Sequence, residues 1–277
     1  MRTFEKEDPC LEGIGWVPDS GPCSGVYVID HGRVLIDAGN MVGLVDHLEE
    51  MAPLDKVERL LLTHTHFDHV GGMAEIYQRT APDVLVHPVA REYARLLRPP
   101  FPEFFQALED AGKIHSVLDE QEIDGIGLKA LHVPGHTAGD LCFYHAEAQA
   151  LFSGDAVLPY QLRFSAILSK PDDFCGGRMQ DKLQSLRRLL RLPVRHLFPG
   201  HGEPVLHKGS HQIKIALVTL YQSLYENLPE KAWLLMAQDL AAAGQPEEAE
   251  ECLKKARALA PTSEEVDHVC AMLGRKA

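Results

Sequence analysis

The run Thr63-His64-Thr65-His66-Phe67-Asp68-His69 constrains this chain more than any other stretch. It places three imidazoles and one carboxylate within seven residues, directly after the apolar Leu60-Leu61-Leu62 and just before Gly71-Gly72. Imidazole and carboxylate are the ligands that zinc and other borderline cations accept. On an extended exit from a strand, His64 and His66 point the same way, because the strand repeats every two residues. Asp68 and His69 then turn back as the chain enters a helix. The stretch therefore offers two pairs of ligands to two neighbouring metal positions. The plain alternative is a cluster of exposed polar residues at a strand end, and four ligand side chains at this spacing argue against it.

Further ligand types recur at strand ends along the chain. Ile14 to Val17 reads as a short strand, and Gly25 to Asp30 with Arg33 to Asp37 as a hairpin about His31-Gly32. Asp37 closes the second arm, either as a turn former or as the holder of a ligand histidine. Val42 to Glu50 has helical spacing, and Val57 to Leu62 is the strand that leads into the histidine run. A helix follows over Gly71 to Arg79. Val84 to Val86 is a buried strand ending in His87, which either lines a site or serves the structure, and a helix runs on to Leu97. Gly127 to Val133 ends in Pro134-Gly135-His136. Leu141 to Tyr144 and Ala150 to Phe152 are strands, the latter ending in Ser153-Gly154-Asp155. Arg178 to Leu192 is a helix, and His196 to Phe198 ends in Pro199-Gly200-His201. The glycine beside each of His136, Asp155 and His201 lets the backbone turn without a Cβ clash. Any one such end is a weak signal; together with residues 64 to 69 they point to one shared site.

On these residues the chain resembles the metallo-β-lactamase superfamily. The H-x-H-x-D-H run at His64, His66, Asp68 and His69 carries the likeness, with His136 in Pro-Gly-His-Thr, Asp155 in Ser-Gly-Asp and His201 in Pro-Gly-His-Gly, over residues 12 to 206. The resemblance implies an α/β fold, an αββα sandwich with two metals at one edge. It implies that His64, His66 and His136 hold the first metal. Asp68, His69 and His201 then hold the second, Asp155 bridges the two, and Asp37 stands behind a ligand. A bridging aspartate is similar to the glyoxalase II and lactonase-like hydrolase branches. The implied chemistry is attack of a metal-held hydroxide on an ester, thioester or lactone, with Asp68 and Asp155 as the catalytic carboxylates. The implied cofactors are two divalent ions, zinc first, with iron or manganese as alternatives. A redox member of the same superfamily, using one or two irons for sulfur or oxygen chemistry, is the second reading. A binding scaffold with a vestigial site is the third, and the full ligand set argues against it.

Composition narrows the partners. A net charge of −13 over 277 residues argues against a nucleic-acid surface. The sequence holds no apolar run long enough to span a membrane. The charged start Met1 to Asp8 is unlike a signal peptide, and the six cysteines at 10, 23, 142, 175, 252 and 270 contain no C-x-x-C. A cytoplasmic protein acting on a small carbonyl substrate is the expectation. Two segments stand out as substrate-selecting. Residues 98 to 114, rich in proline and phenylalanine, read as a lid or as a hydrophobic staple over the core. Residues Val157 to Phe164 follow Asp155, with Tyr160 and Arg163 as candidate substrate contacts; Arg163 would receive a carboxylate or phosphate, or form a surface ion pair.

Residues 1 to 208 are thus read as the catalytic domain and 209 to 277 as a helical region. From His211 the pattern is purely helical. Trp233, Ala237, Leu240, Gly244, Ala249, Leu253, Ala256 and Pro261 fall at the offsets of a single tetratricopeptide-like repeat over residues 230 to 263. One repeat cannot bury its faces alone. It must pack on the helix at 211 to 227 or on a second subunit, and it serves either as a partner groove or as a packing and dimerisation element.

Overall fold

The structure, a computed structural model, describes residues 2–18, 23–40, 43–49, 54–161, 163 and 165–274. Among these residues twelve strands form two sheets. The first sheet holds β1 (Arg2–Thr3), β2 (Gly15–Val17), β3 (Val26–Ile29), β4 (Val34–Ile36), β5 (Arg59–Leu61), β6 (Asp83–Val86) and β7 (Ile114–Ser116), side by side in chain order. β1 to β4 pair antiparallel, and β4 to β7 run parallel. The second sheet holds β8 (Glu122–Ile123), β9 (Leu128–His132), β10 (Leu141–His145), β11 (Ala150–Gly154) and β12 (His196–Pro199), with order β12-β11-β10-β9-β8. β11 and β12 are parallel and the other pairs antiparallel. The helices are α1 (Leu44–Glu49), α2 (Phe67–Val70), α3 (Met73–Thr80), α4 (Pro88–Ala94), α5 (Phe101–Asp110), α6 (Ser165–Leu168), α7 (Met179–Leu189), α8 (Gly209–Leu224), α9 (Pro229–Ala242), α10 (Pro246–Leu259) and α11 (Glu264–Met272).

Strand alternation explains the layers. In β3, Tyr27 and Ile29 face the second sheet, whereas Val26 and Val28 face α1, α3 and α5. In the second sheet, Ala130, Phe143 and Phe152 meet the first sheet, and Leu131, Cys142 and Leu151 meet α7 and α8. Both faces of both sheets are therefore covered, which is why the strands read as nearly continuous apolar runs. The result is the αββα sandwich expected from the resemblance. Tyr27, Phe152 and Phe198 lock the sheets together, with ring centroids 4.9–5.5 Å apart.

Residues 98 to 114 are not a lid. Most of them form α5 (Phe101–Asp110), whose Phe101, Phe105 and Leu108 recur at i, i+4 and i+7 and are buried against the first sheet. Pro102 sits in the first turn, where a missing N–H does no harm. The packing reading of this segment is the closer one. Two boundaries also differ from the sequence reading: the helix expected from Gly71 starts at Met73, and α2 precedes it as a separate turn. The ends of the first expected helix, Val42 and Glu50, lie outside the described residues. No helix among the described residues is long and apolar enough to cross a membrane.

The C-terminal helices bury their faces within the chain. Ala237 and Leu240 of α9 and Ala249, Leu253 and Ala256 of α10 join one core with α7, α8 and the second sheet. Arg187 of α7 donates to Asp239 of α9 at 3.1 Å and to the Tyr221 hydroxyl of α8 at 3.0 Å, while that hydroxyl donates to Asp239. The repeat thus packs on α8, the first of the two options the sequence left open.

Phe105 is fully buried, so Phe105→Ala should lower the unfolding free energy by about 3–5 kcal/mol in urea titration; a lid residue would leave it nearly unchanged. His87 ends β6, accepts the Val89 N–H on Nδ1 as the cap of α4, and stacks on His132 with centroids 3.9 Å apart. Burial and the neighbouring His132 lower its pKa from 6.5 to about 4. A depressed basic group contributes stability that is present above about 6.5 and lost as pH falls towards the folded value. His87→Asn keeps a capping acceptor without the titration. The stability gap between wild type and H87N should therefore shift in the variant's favour as pH falls from 6.5 to 4, measured by denaturant unfolding.

Candidate metal centre

The expected residues come together at one edge of the sandwich, where β4, β5, β9, β11 and β12 all end. The exit from β5 carries His64 and His66. Asp68 and His69 lie on α2, whose start at His66 swings the chain back across the edge. His136 sits in the turn after β9, Asp155 follows β11, and His201 follows β12. Gly200 permits the last approach: a Cβ there would stand 2.5 Å from Asp155 Oδ1 and 2.7 Å from His69 Cε1.

Two groups of donor atoms result. His66 Nδ1 lies 3.1 Å from His64 Nε2 and 2.9 Å from His136 Nε2. His201 Nε2 lies 3.1 Å from Asp68 Oδ2, which is 3.7 Å from His69 Nε2. Asp155 stands between the groups, with Oδ1 3.5 Å from His69 Nε2, and Oδ2 3.7 Å from His136 Nε2 and 3.5 Å from His201 Nε2. Ligands of a tetrahedral zinc, about 2.0–2.1 Å from the ion, stand about 3.3 Å from one another. The observed separations straddle that value.

The outer atoms of the histidines decide where their lone pairs point. His69 Nδ1 faces Asp37 Oδ2 at 2.8 Å, and His66 Nε2 faces Asp172 Oδ2 at 2.9 Å. His136 Nδ1 faces the Lys170 carbonyl at 2.7 Å. The Thr63 hydroxyl gives its one hydrogen to Asp37 Oδ2 at 2.7 Å, so towards His64 Nδ1, 3.1 Å away, it can only accept. Each of these four ring nitrogens must then carry the proton. The opposite nitrogen of each ring is left as an acceptor aimed into the shared space. Buried His69 Nε2, His201 Nε2 and Asp155 Oδ1 have no hydrogen-bond partner among the described residues. Leaving such groups unsatisfied costs about 1–3 kcal/mol each, and cations would satisfy all three. The donor set therefore fits a pair of metal ions.

The electrostatics agree. Burial and the adjacent imidazoles hold His64 well below the ordinary histidine range. Burial, partly countered by Asp155, brings His136 to about 4. Both are neutral near pH 7, as a ligand must be. His69 moves the other way: burial opposes its charge, but Asp155 and Asp37 together raise it well above the ordinary range. A proton on His69 occupies the position that a cation would take. Asp155 stays ionised despite its burial because His69, His201 and His136 surround it.

Asp37 is both of the things its sequence position allowed. Its backbone is left-handed, with φ 58°, and its carboxylate also accepts the Thr63 N–H at 2.8 Å. Tyr160 is exposed, and its N–H donates to Gln212 Oε1 at 3.1 Å; it lines a cavity together with Ala156 and Leu158, which follow Asp155 in the chain. Arg163 is exposed and is not among the described lining residues of that cavity. Leu162 and Phe164 lie outside the described residues. The sequence offered no sign of Asp172, because an aspartate pair after a proline reads only as a turn. Burial pushes the Cys175 thiol up to about 12, which disfavours the thiolate. Asp37→Ala removes three hydrogen bonds behind the cluster, so zinc affinity should fall about 10–100-fold in chelator competition; an unchanged affinity would show that Asp37 serves only the turn.

Comparison with known proteins agrees with this geometry. The family model for the metallo-beta-lactamase superfamily matches residues 19–201, and a tetratricopeptide repeat model matches residues 230–273. Atrochrysone carboxyl ACP thioesterase of Aspergillus fumigatus is 30% identical over 186 residues, covering 65% of this chain and 50% of that one. The beta-lactamase-like protein 2 homolog of Drosophila melanogaster is 28% identical over 192 residues, covering 66% and 59%. The chain thus spans only about half the length of the curated relatives it matches. Among solved structures, TTHA1623 in a di-iron-bound form aligns with a TM-score of 0.53 and 28% identity, over 69% of this chain and 94% of that one. With the matched segment covering most of the chain and every residue of the donor cluster, the protein belongs to the metallo-β-lactamase superfamily.

Proposed function

We propose that this chain is a dinuclear metallohydrolase that cleaves a thioester, with esters and lactones as chemically adjacent substrates. The observation that carries the reading is the set of four histidines whose outer nitrogens are all committed, so that their acceptor nitrogens converge on one space beside Asp155. His64, His66 and His136 would hold one cation, zinc on this reading; Asp68, His69 and His201 would hold the other, and Asp155 stands between the two groups. When bound, the two cations lower the pKa of a water and polarise a carbonyl. The chain's own part is to position and to move protons. Asp68 is a third exposed, whereas Asp155 is buried, so Asp68 is the carboxylate that can reach the incoming water and the departing thiol. Water adds across the thioester carbonyl, the carbon–sulfur bond breaks, and a carboxylic acid and a thiol leave. The name of the Aspergillus relative, a thioesterase, favours the thioester among the carbonyl substrates. On this reading residues 1 to 208 supply the chemistry, and residues 209 to 277 are a helical appendage that packs against them.

The di-iron-bound relative favours a second reading, redox chemistry at the same ligands. Metal analysis of protein purified without added metal separates the two. Two zincs per chain with aerobic hydrolysis of acyl-N-acetylcysteamine thioesters is the expected result. His64→Ala should lose both the hydrolysis and bound zinc while remaining folded by circular dichroism. Iron as the resident metal, with oxygen uptake and no thioester hydrolysis, would overturn the proposal.

A further inference from the structure

A cavity of about 510 Å³ is lined by Ala156, the residue after Asp155, among others, and lies within the range of small-molecule sites, roughly 300–1,000 Å³. Its walls include the two segments that carry or brace the ligands. Leu158 lies three residues beyond Asp155. Lys170, whose carbonyl takes the His136 Nδ1–H, lines it as well. The far wall is α8, through Ala216 and Leu220. The catalytic sandwich alone would leave the cavity open on that side.

Lys182 of α7 is buried in this otherwise largely apolar wall. Its ammonium donates to the Ser169 carbonyl and to no other hydrogen-bond acceptor among the described residues. An ammonium has three hydrogens to give, and burying one with donors unfilled is unfavourable unless something else accepts them. The Lys182 backbone lies against the turn that presents His136, where a Cβ on Gly135 would stand 2.5 Å from Lys182 Cα. Lys182 thus stands in the cavity wall on the helix that packs against the turn presenting His136.

We propose that this cavity is the acyl site: it takes a medium-length aliphatic acyl chain bearing an oxygen close to the thioester carbonyl, Lys182 receives that oxygen, and α8 limits the chain's length. The proposal rests on the thioesterase reading, and it assigns the helical appendage a role in selecting substrate.

The test uses the zinc-loaded full chain and N-acetylcysteamine thioesters of acetyl, octanoyl and 3-hydroxyoctanoyl groups, with octanoate binding followed separately by calorimetry. Each buried methylene is worth about fourfold, so kcat/KM for octanoyl should exceed that for acetyl by about tenfold or more. Ala216→Phe and Thr219→Trp fill the far wall; Thr219 is exposed, so the second variant does not depend on repacking a core. Both should lower the octanoyl-to-acetyl ratio about tenfold and remove octanoate binding. Lys182→Met should remove the preference for 3-hydroxyoctanoyl over octanoyl. Thioester hydrolysis indifferent to chain length and to both fillers overturns the acyl site and leaves the hydrolase reading standing. Octanoate bound by wild type and lost in the fillers, without hydrolysis of any thioester, keeps the site and removes the thioesterase reading. Neither hydrolysis nor octanoate binding overturns both, and a wild type blind to the 3-hydroxyl overturns the role of Lys182.

Discussion

Three donors converge on the buried carboxylate of Asp37: the Thr63 N–H, the Thr63 hydroxyl and His69 Nδ1–H. That one acceptor ties the end of β4 to the exit of β5 and to α2. It also settles two proton positions at once, since Thr63 passes the constraint on to His64. Without it, the rings of His64 and His69 would be free to present either nitrogen, and the donor groups would lose their common focus. The left-handed backbone of Asp37 is the local strain that this arrangement sustains, and the hydrogen bonds over-determine it.

The same economy runs through the edge as a whole. Five strands of two sheets end there, and the sheets are held in register beneath it by the Tyr27, Phe152 and Phe198 rings. The Tyr27 hydroxyl donates to the Pro199 carbonyl at 2.6 Å, and Gly25 N–H donates to the Gly200 carbonyl at 2.8 Å. Packing between the sheets therefore positions His201 directly. Mutations in that aromatic cluster would reach the metal centre through the backbone and not only through stability.

The helical appendage is continuous with the second helix layer, because α7, α8 and α9 share the Arg187, Tyr221 and Asp239 network as well as an apolar core. Burial and the neighbouring Asp239 carboxylate raise the Tyr221 hydroxyl's pKa, so it stays protonated and can bridge the other two. A single repeat is stable here because α8 supplies the neighbour that a second repeat would otherwise provide. The same contact places α8 in the wall of the cavity that Ala156 and Leu158 also line.

What the sequence by itself determined was which histidines and aspartates gather at one edge, and the fold class. Histidine and aspartate at strand ends beside glycine are local features, and the apolar strands and the repeat spacing are periodic ones, so both could be read without knowing what packs against what. The segment at 98 to 114 misled for a related reason: its prolines suggest a loop, but its phenylalanines have helical spacing, and burial against the first sheet decided the outcome. Asp172, the Lys170 carbonyl and Lys182 were decided only by the tertiary structure. Asp172 and the Lys170 carbonyl brace the cluster from segments far away in the chain, and Lys182 joins a cavity wall, through contacts that no spacing rule encodes. Their chemistry here comes from burial and from the orientation of a neighbouring ring, and both exist only once the sheets and helices have closed around the site.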